Sequence, residues 1–398
     1  MSLWQDWRAV RRFHRLPPRD RNIVFYSESR QDWHHLQPLI EFLTAGLSRT
    51  VCHVTSEPSD PPPADAGGGV HAFRVRAGLV RTWFFQMVKA DVLVLTMQDL
   101  GNFELKRSIH RVHYVYVFHN IGSTHMVDHA GAYDHYDSIF CVGPHHVAEI
   151  RRREELERLV PKHLFAHGYP RLDALVRAAQ TCRPRPAATG PVALLAPTWG
   201  EQSILPVCGE PLIAALLEGG VSVILRPHYQ TTVRTPGLVA RLRGRFGRDP
   251  RFRYVDRMGD TESLFDSDVL ICDWSSMAME YALGLGKPVL FVDVPPRVRN
   301  PDWTGLGLEP LEIRIRREAG AILPLDRLAE APGFVAALVR DAARFRDRCV
   351  ALRDEWAFNG GRSAEVGARE IARIADDRAG TGAAGRPRAS AGLSEEGP

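Results

Sequence analysis

The sequence predicts an α/β protein built as two halves, each a parallel sheet flanked by helices. Three observations point to this. Short β-branched runs alternate with stretches of helical apolar spacing along most of the chain, which is the rhythm of βαβ units. The alternation breaks over 181–190 (TCRPRPAATG) and then restarts. The length, 398 residues, suits two domains, since a domain averages roughly 100–200 residues.

In the first half, 22–27 (NIVFYS) reads as a buried strand, and 35–47 follows with apolar residues at helical spacing. The run 51–55 (VCHVT) is the next strand, and 61–69 (PPPADAGGG) is loop because Pro and Gly break both periods. A helix over 79–88 leads to strands at 91–96, 112–118 and 138–142. The second half begins with strand 192–196 (VALLA), helix 211–217 and strand 221–225. Helix 233–245, strands 252–255 and 269–272, helix 277–285 and strand 289–292 come next. Beyond them, 334–353 and 363–375 read as helices, with Trp356 between them. From Arg378 onward large apolar residues are few, which predicts disorder.

Composition narrows the function. Hydrophobic residues make up 44% and charged residues 25%, excluding global disorder and fibrous repeats. The 51 basic residues nearly balance 47 acidic ones, leaving a charge of +4, which argues against a nucleic-acid binder. No apolar run approaches the ~20 residues of a membrane-spanning helix. Residues 1–21, broken by Asp6, Arg8, Arg11, Arg12 and Arg15, lack the apolar core of a secretion signal. Leu3, Trp4, Trp7, Val10 and Phe13 nevertheless fall near helical spacing among those arginines. Such a basic amphipathic helix suits either packing on the next domain or a membrane interface. The six cysteines (Cys52, Cys141, Cys182, Cys208, Cys272, Cys349) form no CxxC pair, and read as reduced, buried thiols of a cytoplasmic protein.

Four strand ends carry polar groups that packing does not require: Thr198-Trp199, Arg226-Pro227-His228, Asp273-Trp274-Ser275-Ser276 and His119-Asn120. The two serines open a helix, where free N–H groups and the helix dipole favour a phosphate; Asp273 or Ser275 could equally be a simple N-cap. Arg226 supplies a fork of donors for phosphate oxygens, and His228 can hydrogen-bond a phosphoryl oxygen or carry a proton. Since open parallel sheets put their strand ends on one rim, these groups together suggest a nucleotide-diphosphate site. His119 is a candidate general base from the first half, with His125 the competing base. Asp266-Ser267-Asp268 matches a metal-binding DxD pattern but precedes a strand and reads as cap and turn. His163 and His167 flank a strand-like Leu164-Phe165-Ala166, which separates their rings. No metal site is expected.

Taken in order, Gly168-Tyr-Pro-Arg171, Ala196-Pro-Thr-Trp199, Arg226-Pro-His228, Asp273-x-Ser275-Ser276 with Glu280, and Lys287-Pro288 resemble the CDP-glycerol glycerophosphotransferases, the teichoic-acid primases and polymerases. The resemblance spans about residues 110–295. It departs at Phe118-His119-Asn120-Ile121-Gly122, where the family has Trp-His-Gly, and at Tyr229, where the family has Pro. It implies a GT-B fold, two Rossmann-like domains with parallel sheets facing across a cleft. It also implies transfer of glycerol phosphate, or a related polyol phosphate, from a CDP-activated donor to an acceptor hydroxyl, releasing CMP. His119 would be the base, with Arg226, His228, Ser275 and Ser276 on the phosphates. Thr198 and Asp273 would line the nucleotide site, and Glu280 would contact the ribose.

The implied division is a basic amphipathic segment over 1–21, an acceptor domain over 22–180 and a linker over 181–190. A nucleotide-donor domain over 191–330, bracing helices over 331–377 and a tail over 378–398 complete it. The expected partners are the CDP-activated donor, a lipid-linked or glycan acceptor in cell-surface polymer synthesis, and a membrane surface through the N-terminal segment, with no cofactor. Two rivals stay open: a GT-B glycosyltransferase or epimerase using a UDP-sugar, and a non-catalytic nucleotide-binding component of a surface-polymer assembly.

Overall fold

The computed structural model describes residues 3–57, 68–98, 100–102, 105–181, 190–256 and 261–383. The predicted loop at 61–69 and linker at 181–190 fall almost wholly outside these residues, as does Cys182.

The predicted runs in the first half become β1 (Ile23–Ser27), β2 (Val51–Thr55), β4 (Val92–Leu95) and β5 (His113–Val117). With β3 (Val70–Arg74) they stand in the order β3-β2-β1-β4-β5, each neighbour parallel. Strands β1, β2 and β4 are buried along their whole length, as continuous apolar runs in a covered parallel sheet should be. Strand β3 was not foreseen: its sequence, VHAFR, has only Phe73 fully buried and therefore no apolar run.

The second sheet contains β8 (Val192–Leu195), β9 (Ser222–Leu225), β10 (Phe252–Tyr254), β11 (Val269–Cys272), β12 (Val289–Val292) and β13 (Gly320–Leu323). Its order, β10-β9-β8-β11-β12-β13, is parallel throughout. Chain order reverses direction between β8 and β11, which opens a crevice beyond their carboxyl ends. Below it, Leu212, Ile213 and Leu216 of helix Ile204–Glu218 pack with Val223, Leu225, Ile271 and Leu290. Strands β6 (Ser138–Cys141) and β7 (His163–Ala166) pair in parallel.

The chain divides into two compact units, one of Met1–Tyr116, His135–Asp137 and Glu365–Pro398, the other of Val117–Asp134 and Ser138–Ala364. Residues 117–134 and 138–180, grouped with the first half in the sequence, thus share a unit with the second sheet. The Ser123 N–H donates to Glu312, and Tyr169 and Arg171 donate to Glu280, which ties these segments to that unit.

Several boundaries move. The helix expected at 35–47 starts at Arg30, where Ser29 and Asp32 form a capping box, and ends at Glu41 before a wider turn over Phe42–Gly46. The helix expected over 334–353 is two, Ala331–Arg340 and Ala342–Trp356, so Trp356 ends the second. The last helix runs Ser363–Ala383, past the predicted order limit at Arg378; 384–398 lie outside the described residues. Helix Pro144–Glu157 gave no signal because its inner face is polar: His145, His146, Glu149 and Glu154 are buried on it beside Ile150.

The N-terminal helix, Leu3–Arg15, buries Asp6, Val10 and Phe13. Phe13 meets Phe73 and Phe84 edge-on, and Asp6 pairs with Arg76 at 2.8 Å. Its other face leaves Leu3 and Trp4 about two-thirds exposed. No described helix is long and apolar enough to cross a membrane. Cys52, Cys141, Cys208, Cys272 and Cys349 are buried free thiols, and burial pushes the first two up to about 12.

Candidate active site

The crevice of the second sheet gathers the three strand ends singled out in the sequence, but not in equal roles. Asp273 is 1% exposed. Its carboxylate accepts the Thr198 N–H at 2.8 Å and the Ile204 N–H at 3.3 Å. Through these two bonds Asp273 fixes the loop after β8 at the rim of the crevice. Thr198 is placed by that bond and is itself buried.

Ser275 accepts the Met277 N–H at 3.3 Å from one residue before Ser276, the N-cap of helix Met277–Leu285. The Ser276 hydroxyl has no partner among the described residues. Arg226 donates to Ser263 Oγ at 3.1 Å and lies 3.2 Å from Met277 Sδ, which brings its guanidinium to the start of that helix. Anion-binding groups therefore converge: a guanidinium, two serines and a helix N-terminus.

His228 caps the short helix Tyr229–Arg234, its Nδ1 accepting the Gln230 N–H at 3.0 Å. That bond assigns the proton of the neutral ring to Nε2. Burial first, and the Arg297 charge second, push its pKa down to about 4. The His228 ring is thus neutral near pH 7 and offers its Nε2–H as a hydrogen-bond donor.

His119 lies just beyond β5 with its side chain exposed. Its backbone is tied down: the Tyr169 hydroxyl stands 3.1 Å from the His119 carbonyl and 2.9 Å from Glu280 Oε1. Arg171 Nε donates to Glu280 Oε2 at 2.7 Å. Both Glu280 oxygens thus accept from the chain itself and hold Tyr169 and Arg171 in position. Burial and the Glu280 charge hold the Tyr169 hydroxyl well above its ordinary pKa, so it remains a donor. Gly168, at φ +93°, makes the turn into this motif, and a Cβ there would lie 2.2 Å from the Phe358 carbonyl oxygen.

The loop after His119 is held on every side. His145 and His146 Nε2 meet the Ile121 and Gly122 carbonyls at 2.9 and 2.8 Å. Glu149 accepts the Thr124 N–H at 2.7 Å and its hydroxyl at 2.8 Å, and Glu312 accepts the Ser123 N–H at 3.1 Å. His125, the competing base, is 7% exposed, 3.5 Å from Glu149, with Nε2 3.2 Å from the Leu308 carbonyl. Burial lowers its pKa, but the bond to Glu149 outweighs this and the net shift is upward. The His125 ring is buried and held between Glu149 and the Leu308 carbonyl, whereas His119 is exposed, which makes His119 the more accessible of the two base candidates. The sequence analysis missed Glu149, Glu312, His145 and His146; Glu149 follows His145 by four residues and His146 by three, so the three lie on one helical face, a spacing that could have revealed them.

The Asp266-Ser267-Asp268 pattern is structural. Asp266 binds Arg253 at 2.6 Å, Asp268 accepts the Val192 N–H at 2.8 Å, and Ser267 meets the Tyr281 hydroxyl at 3.0 Å. Among the described residues no cluster of three or more His, Cys, Asp or Glu is arranged to hold a metal ion.

A family model described as CDP-glycerol:poly(glycerophosphate) glycerophosphotransferase matches residues 80–294, more than half of the chain. The chain belongs to this family. It is a glycerophosphotransferase that uses a CDP-activated donor. No curated protein matches it.

Among solved structures, the wall teichoic acid polymerase TagF, soaked with CDPG, is similar at TM-score 0.57 and 14% identity, covering 95% of both chains. A UDP-N-acetylglucosamine 2-epimerase assignment from Listeria monocytogenes also gives 0.57 at 14% identity, over 89% of this chain and 96% of that one. The UDP-GlcNAc 2-epimerase of Methanocaldococcus jannaschii, with UDP-GlcNAc and UDP, gives 0.54 at 12% identity, over 88% and 99%. These likenesses are of fold, and that fold is GT-B. Within this chain the His119 carbonyl is linked through Tyr169 and Glu280 to the helix that Ser275 and Ser276 precede.

Proposed function

We propose that this glycerophosphotransferase moves glycerol phosphate, or a related polyol phosphate, from its CDP-activated donor to an acceptor hydroxyl of a cell-surface polymer, releasing CMP. His119 takes the proton of the acceptor hydroxyl. The acceptor oxygen bonds to the polyol-bearing phosphorus as the bridging P–O bond breaks, and CMP leaves with the electron pair. Arg226, the His228 Nε2–H, the serines and the helix N-terminus stabilise charge on the transferring group, which is most of what phosphoryl transfer asks of a protein. This reading calls for no metal. The observation that carries it is the Tyr169 bridge, which couples the position of His119 to the anion-binding helix. The acceptor is a lipid-linked or glycan chain. The enzyme works on the cytoplasmic side of the membrane, with exposed Leu3 and Trp4 and the neighbouring arginines meeting the lipid surface.

The test is nucleotide release from CDP-glycerol, CDP-ribitol, UDP-glucose and UDP-N-acetylglucosamine, with and without a lipid or glycan acceptor extract. CMP release with a CDP-polyol, lost in His119→Ala while CDP still binds, is the expected result. UDP release would move the protein to the sugar-nucleotide enzymes. Nucleotide binding without turnover on any acceptor would favour a non-catalytic component.

A further inference from the structure

Trp199, at the end of β8, has two guanidinium groups against its ring. Arg297 lies 4.3 Å from the ring centroid and Arg234 lies 5.0 Å from it. The His228 ring is 6.2 Å away. Arg234 directs its Nε to Gln230 Oε1 at 2.9 Å. Among the described residues neither arginine has a carboxylate partner, whereas Arg76, Arg107, Arg171, Arg316 and Arg373 all do.

Arg297 also lines a cavity of about 510 Å³, together with Thr198, Ser203, Trp274 and a second arginine, Arg299. Burial first and repulsion from Arg299 second pull the Arg297 pKa below its ordinary value. The Asp273 charge offsets part of this from a distance, but without a carboxylate in direct contact two like charges partly withdrawn from water carry a cost that a bound anion would relieve. Stacking on Trp199 holds the guanidinium by its face and leaves its N–H edge free for a bidentate contact. The cavity is of a size that suits a small ligand, and Thr198 and His228 place it beside the crevice of the second sheet.

We propose that Trp199 and Arg297 form a phosphate clamp, in which Arg297 receives the diphosphate of the activated donor and Trp199 holds its guanidinium in place. The clamp rests on the donor reading above. Arg297 is a binding residue and Trp199 a positioning residue, and neither belongs to the motifs that carry phosphate recognition in the sequence analysis except through the bare presence of Trp199 after Thr198.

Calorimetric titration of the full chain with CDP and with cytidine tests this. Arg297→Ala is expected to weaken CDP by about tenfold or more while changing cytidine by less than about twofold. Arg297→Lys should recover little, because an ammonium neither stacks nor forks. Trp199→Phe should keep most of the CDP affinity and Trp199→Leu should lose it, since a merely space-filling role would accept leucine. Unchanged CDP affinity in Arg297→Ala overturns the clamp, and so does an equal loss of CDP and cytidine. Should Arg297→Ala fail to fold, Arg297→Gln gives the same comparison. Wild-type chain that binds UDP and not CDP would overturn the donor reading, and Arg297→Ala titrated with UDP would then still decide the clamp.

Discussion

Arg171 and Glu280 stand 109 positions apart in the chain and meet at 2.7 Å. Their side chains are 19% and 8% exposed, so the pair is largely withdrawn from water. The Glu280 charge raises the Arg171 pKa more than burial lowers it. Removing one partner of such a pair strands the other. Arg171→Ala should therefore destabilise the protein by about 3 kcal/mol, measured as a lower denaturant midpoint. Arg171→Met combined with Glu280→Leu should lose clearly less than the two single changes added together. Additive losses would mean that the two groups act independently.

The ion pair of His125 with Glu149 predicts a pH dependence. Burial alone would raise the Glu149 pKa, but the His125 bond and the His145 and His146 charges hold it down at about 2. A depressed carboxylate stabilises above its unfolded pKa, and that contribution is lost as pH falls toward 2. The raised His125 stabilises below its unfolded pKa and loses this as pH rises through its folded value. The gap in melting temperature between wild type and His125→Gln should therefore be widest between about pH 4.5 and 6.5, and should narrow on both sides. Activity separates the histidines: His119→Gln should lose at least about a hundredfold, and His125→Gln far less when assayed below its melting range. Equal losses at pH 7 would restore His125 as a candidate base.

The sequence made the strand ends legible because continuous runs such as Val269–Cys272 can only be buried strands, and the residues just past a parallel strand lie at the rim. It also made the motifs legible as types of residue. It could not show which of them face a ligand. Asp273 and Glu280 look like ligands in the sequence, which does not show that their oxygens also accept from Thr198, Ile204, Tyr169 and Arg171. Helix Pro144–Glu157 was invisible for the opposite reason. Its buried face consists largely of charged and imidazole groups paired with loop carbonyls and amides, and apolar periodicity cannot register such a face.

Gly168 offers a test of backbone strain. Its φ of +93° lies where side chains are rarely tolerated, and a Cβ would press on the backbone of Phe358 at 2.2 Å and on Ser363 Oγ at 2.4 Å. Neither the left-handed conformation nor the Phe358 backbone can yield cheaply. Gly168→Ala should cost about 2–3 kcal/mol, and because Tyr169 is the next residue it should also lower turnover through the position of His119. A variant with wild-type stability would show that the turn relaxes.

Glu312 should make the protein less stable as pH rises, opposite to its neighbour Glu149. Burial first, then repulsion from Glu149, raise its pKa to about 7, against the backbone hydrogen bonds and the His125 charge that lower it. Part of the Glu312 side chain reaches the surface, but its carboxylate is packed close: a Cβ on Gly122 would lie 2.4 Å from Oε1. The folded state therefore holds a proton that the unfolded chain releases near pH 4.3. Stability from this group is complete below that value and is lost as pH rises toward 7. Glutamine has the shape of the protonated acid and keeps an oxygen for the Ser123 N–H. Glu312→Gln should be neutral at pH 4 and should stabilise by about 1–2 kcal/mol at pH 8, after discounting for partial exposure. The check is a melting-temperature series across pH for both proteins. A constant difference from pH 4 to 8 would show that Glu312 titrates normally and that its closeness to Glu149 has no electrostatic consequence.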